Sequence, residues 1–141
     1  MKNKKQSGFS LIELLLVVVI ISVIAAIAVP KLTKAFAAAE NGSTVATMKT
    51  IQLSQTSSYA QRNRYGRLDE INQYQNNGLG SVVNNQLFRG KYLYEMIPAN
   101  PTDDELKSGF IIKATRNTNV ADPIPFVLEL NERGFVTPIF P

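Results

Sequence analysis

Few residues in this chain have types and spacings that could do chemistry. Glu13 is the only charged residue between Phe9 and Val29, a run of 21 residues that is otherwise almost pure hydrocarbon. An unpaired carboxylate in lipid costs roughly 2.5 kcal/mol or more. It calls for a counter-charge, for the positive end of a helix dipole, or for an escape to the membrane surface. Two other clusters invite a chemical reading. Asp103, Asp104 and Glu105 are adjacent in "TDDELKSG". Calcium takes about six to eight oxygens from a folded loop, and the EF-hand spacing is absent, so a solvated acidic turn or helix start is the favoured reading. Arg62, Arg64 and Arg67 surround Tyr65 in "QRNRYGR". Basic residues beside an aromatic can hold nucleic acid, but arginines at a helix end also complement its dipole. The second reading is preferred, and no nucleic-acid partner is expected.

What is missing narrows the field further. The 141 residues include no histidine and no cysteine. The commonest general base, the commonest metal ligand, the thiolate and the disulfide are therefore all excluded. No glycine-rich phosphate loop, paired catalytic acids or activated serine motif is found. No catalytic residue, metal or cofactor is expected, and the chain reads as the substrate of an enzyme rather than as an enzyme.

The elements that must position Glu13 come next. The net charge is +4, but Lys2, Lys4 and Lys5 supply three of those charges near the start. The basic balance thus reports a short N-terminal stretch and not a nucleic-acid surface. As a helix, Phe9 to Val29 covers roughly 31 Å, against a hydrocarbon core of about 30 Å. It is apolar on every side, so no soluble amphipathic face can be drawn. Lysines before it favour a single span with the C-terminus outside. A cleaved secretory signal is the rival, since "AIA" at Ala26–Ala28 fits a small-x-small site. The run is longer than the usual apolar region of such signals, and it contains an acid.

The order of residues in "GFSLIELLLVVVIISVIAAIAVP" is specific: Gly8, Phe9, an acid at Glu13, then an apolar span ending at Pro30. It resembles the N-terminal signature of type IV pilins and of the pseudopilins of type II secretion, over about 25 residues. The resemblance implies that a prepilin peptidase removes the leader between Gly8 and Phe9 and that Phe9 becomes N-methylated. It also implies a partner for Glu13: the Phe9 ammonium of a neighbouring subunit. Relief of both charges and a fixed axial register would follow, in place of a Glu13 that only snorkels or caps its own helix. This chain departs from the family pattern in two places. Ser22 stands where many members have glycine, and the head has no cysteine pair. Serine softens a helix less than glycine does.

Pro30 is expected to kink a helix that continues, rather than to end it. No further proline occurs before Gly66. Val45, Met48, Ile51 and Tyr59 lie at steps compatible with one stripe. One long helix from about Ser10 to about Arg64 is predicted, apolar all round in its first half and amphipathic in its second. Asn41–Gly42 is a weak point in it. Gly66 should break the helix, "LDEINQY" should form about two turns, and "VVNNQLFRGKYLYEM" has no clear alternation. "GFIIKATR" reads as a strand, and "PFVLELNERGFVTPIFP" as a hairpin turning at "NERG". The expected fold class is α+β and pilin-like: a long kinked helix, its first half transmembrane, packed on a small antiparallel sheet of three strands. The expected organisation is a leader at 1–8, an assembly and membrane half at 9–29, an amphipathic half at 30–64 and a head at 65–141.

The preferred function is a structural subunit of a type IV pilus-like filament. The expected partners are further copies in a helical filament, the prepilin peptidase and methyltransferase, a pilus or secretion assembly platform, and the cytoplasmic membrane before assembly. The head would lie outside that membrane, and later in a cell-surface or periplasm-spanning filament. A major pseudopilin of type II secretion is the alternative within this class. A membrane-tethered or secreted binding domain is the alternative from another class.

Overall fold

The computed structural model describes residues 8–116 and 127–139. Lys2, Lys4 and Lys5 lie outside that range, as do Pro125, Phe126, Phe140 and Pro141 of the expected hairpin. Helix α1 is Leu11–Arg62, with Pro30 inside it. The reading in which Pro30 merely ends the helix is thereby excluded. The chain divides into two compact units, Met1–Ala39 and Glu40–Pro141.

In the first unit the described residues are Gly8, Phe9 and Ser10 followed by the first part of α1. Its apolar side chains are exposed: Leu14, Val19, Ile24 and Val29 stand at 62%, 62%, 61% and 59%. The stretch is long and apolar enough to cross a membrane, and none of the most apolar window is buried.

The second unit has its own core. Around the last part of α1 stand α2 (Leu68–Tyr74), strands β1 (Ser81–Val83), β2 (Gln86–Arg89) and β3 (Tyr92–Met96), α3 (Asp103–Ser108), and strands β4 (Ile111–Arg116), β5 (Val127–Asn131) and β6 (Val136–Ile139). Among the described residues the strands form one antiparallel sheet in chain order, β1 to β6. The class is α+β and pilin-like, as expected, but the sheet has three strands more than the sequence reading placed. The extra strands come from the segment without clear alternation. Their turn is the missed signal: Asn84 and Asn85 both have positive φ, at 50° and 61°. This is the type I′ pattern that two-residue hairpins favour.

Alternation puts Tyr92, Tyr94 and Met96 of β3, Ile112 and Ala114 of β4, and Leu128 and Leu130 of β5 on one buried face. Met48 and Ile51 of α1 join them in a single core with Leu68, Ile71 and Leu106. The buried face of α1 is more polar than its apolar stripe predicts, because Thr44, Thr47, Ser54, Gln55 and Ser58 are buried there too. Thr44, Thr47 and Ser54 donate to the carbonyls four residues back, at 2.9–3.0 Å. Each hydroxyl is thus satisfied within the helix and can pack as a small side chain. Tyr59, expected on the stripe, is 39% exposed and stacks on Tyr65 at 4.8 Å between ring centroids.

The helix ends at Arg62 and not at Gly66. Asn63 takes the left-handed conformation, with φ 56°, and its amide still reaches the Tyr59 carbonyl at 2.9 Å. Asparagine tolerates that conformation, which makes it a helix stop. Gly66 has a different task. Gln55, fully buried, grips its peptide from both sides: Gln55 Nε2 donates to the Gly66 carbonyl at 2.8 Å, and the Gly66 amide donates to Gln55 Oε1 at 2.7 Å. A Cβ at Gly66 would lie 2.8 Å from Ile71 Cδ1 and 3.3 Å from Ser58 Oγ, so any larger residue would have to displace the buried Ile71 side chain. The expected turn at "NERG" joins β5 to β6, and the Gly134 amide donates to the Asn131 carbonyl at 2.9 Å.

Candidate processing and assembly site

Gly8 and Phe9 lie just ahead of α1, and Phe9 is 90% exposed. A Cβ added to Gly8 would meet nothing within 4 Å. Among the described residues, packing therefore places no demand on that position.

The helix start is built by two side chains that bond reciprocally. The Ile12 amide donates to Ser10 Oγ at 3.2 Å, and the Ser10 amide donates to Glu13 Oε2 at 2.8 Å. This is a variant of the capping box, with the serine hydroxyl on the second amide of the helix instead of the third and the acid three residues on reaching back to the serine amide. The dipole of the helix adds to the stabilisation of the carboxylate. Ser10 is the residue that the sequence reading missed. Its signal was the S-x-x-E spacing of "SLIE", immediately before an apolar run. The bond occupies Oε2 of Glu13 and leaves Oε1 open to an incoming donor.

Further along, α1 runs through Ser22, whose Oγ donates to the Val18 carbonyl at 2.7 Å. Pro30 has no amide to give the Ala26 carbonyl. Three residues on, Thr33 Oγ1 donates to the Val29 carbonyl at 2.9 Å.

The other two clusters are absorbed by the head. Glu70 receives Arg64 from two nitrogens, at 2.9 and 2.8 Å, and Arg62 at 3.1 Å. The Arg64 hydrogen bonds are the main reason that its pKa falls to about 2, against the opposing cost of burial. Arg67 pairs with Asp103 at 2.7 Å and donates to the Pro101 carbonyl at 3.0 Å. Tyr65 sits between Tyr59 and Phe110, both at 4.8 Å between centroids. The arginines and the tyrosine of "QRNRYGR" are thus committed to internal contacts. The acidic run is the first turn of α3, where Thr102 caps the helix and its amide donates to Glu105 Oε2 at 2.7 Å. Asp104 turns to Lys107 at 2.8 Å. The three carboxylates face three different partners. Among the described residues no group of three or more metal-ligand side chains converges.

Glu40 forms a second ion-pair centre in the head. It meets Lys91 at 3.0 Å and Arg116 at 2.7 Å. The Lys91 hydrogen bond is the main influence holding its carboxyl below the usual range.

Residues 3–29 match the family model of the prokaryotic N-terminal methylation motif. No curated protein and no solved structure matches the chain. The matched stretch contains Gly8, Phe9, Ser10 and Glu13 and runs to the end of the apolar span. The chain carries, at residues 3–29, the N-terminal signature of type IV pilins and pseudopilins.

Proposed function

We propose that this protein is a structural subunit of a type IV pilus-like filament, drawn from a membrane-anchored pool after removal of its leader. The methylation motif at residues 3–29 carries this reading. The exposed apolar stretch of α1 supports it, since such a surface calls for lipid before assembly and for neighbouring helices after it. Cleavage falls between Gly8 and Phe9, and the new Phe9 amine is methylated. In the filament that ammonium meets Glu13 of the adjoining subunit, and Pro30 provides the kink that lets α1 bend as it packs. The processing enzyme, further copies of the chain and an assembly platform are the partners. Pseudopilins share the signature, and the assembly system that takes up the subunit decides between the two filaments.

Mass spectrometry of the mature chain from membranes tests this reading. The expected N-terminus is a methylated Phe9. The Gly8→Val variant should accumulate with its leader attached, because a β-branched side chain crowds a groove shaped for glycine. The open surroundings of Gly8 mean that this variant leaves the fold undisturbed. A mature chain starting at Val29, or normal maturation of Gly8→Val, would overturn the proposal.

A further inference from the structure

We propose that Lys31 and Lys34 form a docking surface for the phosphate headgroups of anionic phospholipids. The inference rests on the membrane-anchored reading and adds a lipid class to it. If Phe9 to Val29 spans a hydrocarbon core of about 30 Å, the next helical turn falls in the headgroup layer. That turn is "KLTKAF", residues 31–36. On a helix Lys31 and Lys34, three apart, share one side. Leu32 and Phe36, four apart, share the opposite one, and they are 55% and 61% exposed. The turn is therefore amphipathic in the sense that an interface requires, with ammonium groups toward phosphate and an aromatic and a leucine toward the acyl boundary.

The two ammonium groups are also available. Head cations such as Arg62, Arg64, Arg67, Lys91 and Lys107 have carboxylate partners within the chain. Among the described residues Lys31 and Lys34 have none, and both are exposed. Processing sharpens the asymmetry. Loss of the leader takes away Lys2, Lys4 and Lys5, and Lys31 and Lys34 are then the cationic side chains that flank the span. Zwitterionic headgroups carry a cation of their own and repel part of this charge, so anionic phospholipids are favoured.

The chain has no tryptophan, so Val29→Trp supplies a single reporter at the acyl boundary. The mature full-length chain is placed in vesicles of phosphatidylcholine and phosphatidylglycerol, with one lipid or the other brominated in its acyl chains. Quenching should favour the brominated phosphatidylglycerol, by up to about fivefold for each lysine at low salt. It should lose that preference in high salt and in the Lys31→Gln/Lys34→Gln variant. Equal quenching by the two lipids, or a preference that survives the double substitution, overturns the proposal. A preference abolished by inorganic phosphate but not by chloride of equal ionic strength overturns the lipid assignment in favour of a soluble anion. Quenching by neither lipid means that the segment is not in the bilayer, and the membrane reading falls together with the proposal.

Discussion

At the start of α1 one oxygen of Glu13 accepts the Ser10 amide, and among the described residues the other has no hydrogen-bond donor. This geometry separates two roles that a single mutation would confuse. Glutamine at position 13 still has a carbonyl oxygen for the Ser10 amide, since glutamine serves in capping boxes as glutamate does. What it loses is the charge. Ser10→Ala does the opposite: it removes the hydroxyl that accepts the Ile12 amide, at a cost of about 1 kcal/mol to the helix start, and keeps the acid. If Glu13 serves only to cap its own helix, Glu13→Gln should assemble at least as well as Ser10→Ala. If it pairs with a neighbouring Phe9 ammonium, only Glu13→Gln should lose filaments while mature monomers accumulate in the membrane. Apolar helices in lipid have little register preference of their own, so an ion pair is a strong source of it. Desolvation limits its net stabilisation, and the expected defect is therefore one of assembly rather than of monomer stability. Sheared filament yield, normalised to the membrane pool, decides between the two, and a wild-type yield from Glu13→Gln would sink the pairing proposal. Glu13 was conspicuous in the sequence because a charge in hydrocarbon is conspicuous. Ser10 was less so, because its partner is a backbone amide and only the S-x-x-E spacing marks it.

At the scale of elements, the end of α1 is tied to the rest of the head by polar bonds as well as by the Tyr59–Tyr65 ring contact. Gln55 holds the Gly66 peptide, Glu70 of α2 holds Arg62 and Arg64, and Asp103 of α3 holds Arg67. Glu70 is the junction, and its depressed pKa makes its contribution depend on pH. A carboxyl at about 2 in the folded chain and near 4.5 in the unfolded one stabilises the fold fully above pH 4.5. That contribution shrinks as pH falls from there and is gone below about 2. The Glu70 side chain is 21% exposed, so solvent screens part of this, and the contribution is about 2 kcal/mol. Glu70→Gln should therefore lower the melting temperature of the head at pH 7 by about 10 °C. The gap between variant and wild type should close as the pH drops from 4.5 toward 2. Thermal melts of the full chain in detergent test this, and a gap that stays constant over that window would show that the charge contributes nothing. None of these ties was legible beforehand. α2 was, because "LDEINQY" lies between a glycine and an asparagine-rich loop, and the β5–β6 hairpin was, because its two apolar runs flank "NERG". Strands β1 to β3 were hidden by their brevity: three to five residues give too few alternations to establish a period. The apolar part of the buried face of α1, Met48 and Ile51, was legible as a stripe, but its polar part was hidden by chemistry, since back-bonded threonines and serines look exposed in a hydropathy pattern.

For the molecule as a whole, the two units make opposite demands on their surroundings. Glu40–Pro141 encloses its own core, while the described part of Met1–Ala39 encloses nothing. A polypeptide of this kind can be stable in water at one end only, and the other end needs hydrocarbon. The proposed orientation, with the head outside, rests on charge: three lysines precede the span, and cationic flanks favour the cytoplasmic side. In that orientation Lys31 and Lys34 flank the far side, two lysines against the three of the near side. Protease added to spheroplasts should thus degrade the head and leave a membrane-embedded fragment containing Phe9 to Val29. The same protease added to inside-out vesicles should leave the chain intact until detergent opens them. A secretory signal cut near Ala28 gives a different result, because the head then appears in the soluble periplasmic fraction with no protease at all. Digestion from the cytoplasmic face alone would reverse the orientation. A fragment that starts before Phe9 and resists protease would show that the leader stays on the anchored pool. Only a head that is degraded from outside, above a protected fragment beginning at Phe9, satisfies the anchoring, the orientation and the processing together.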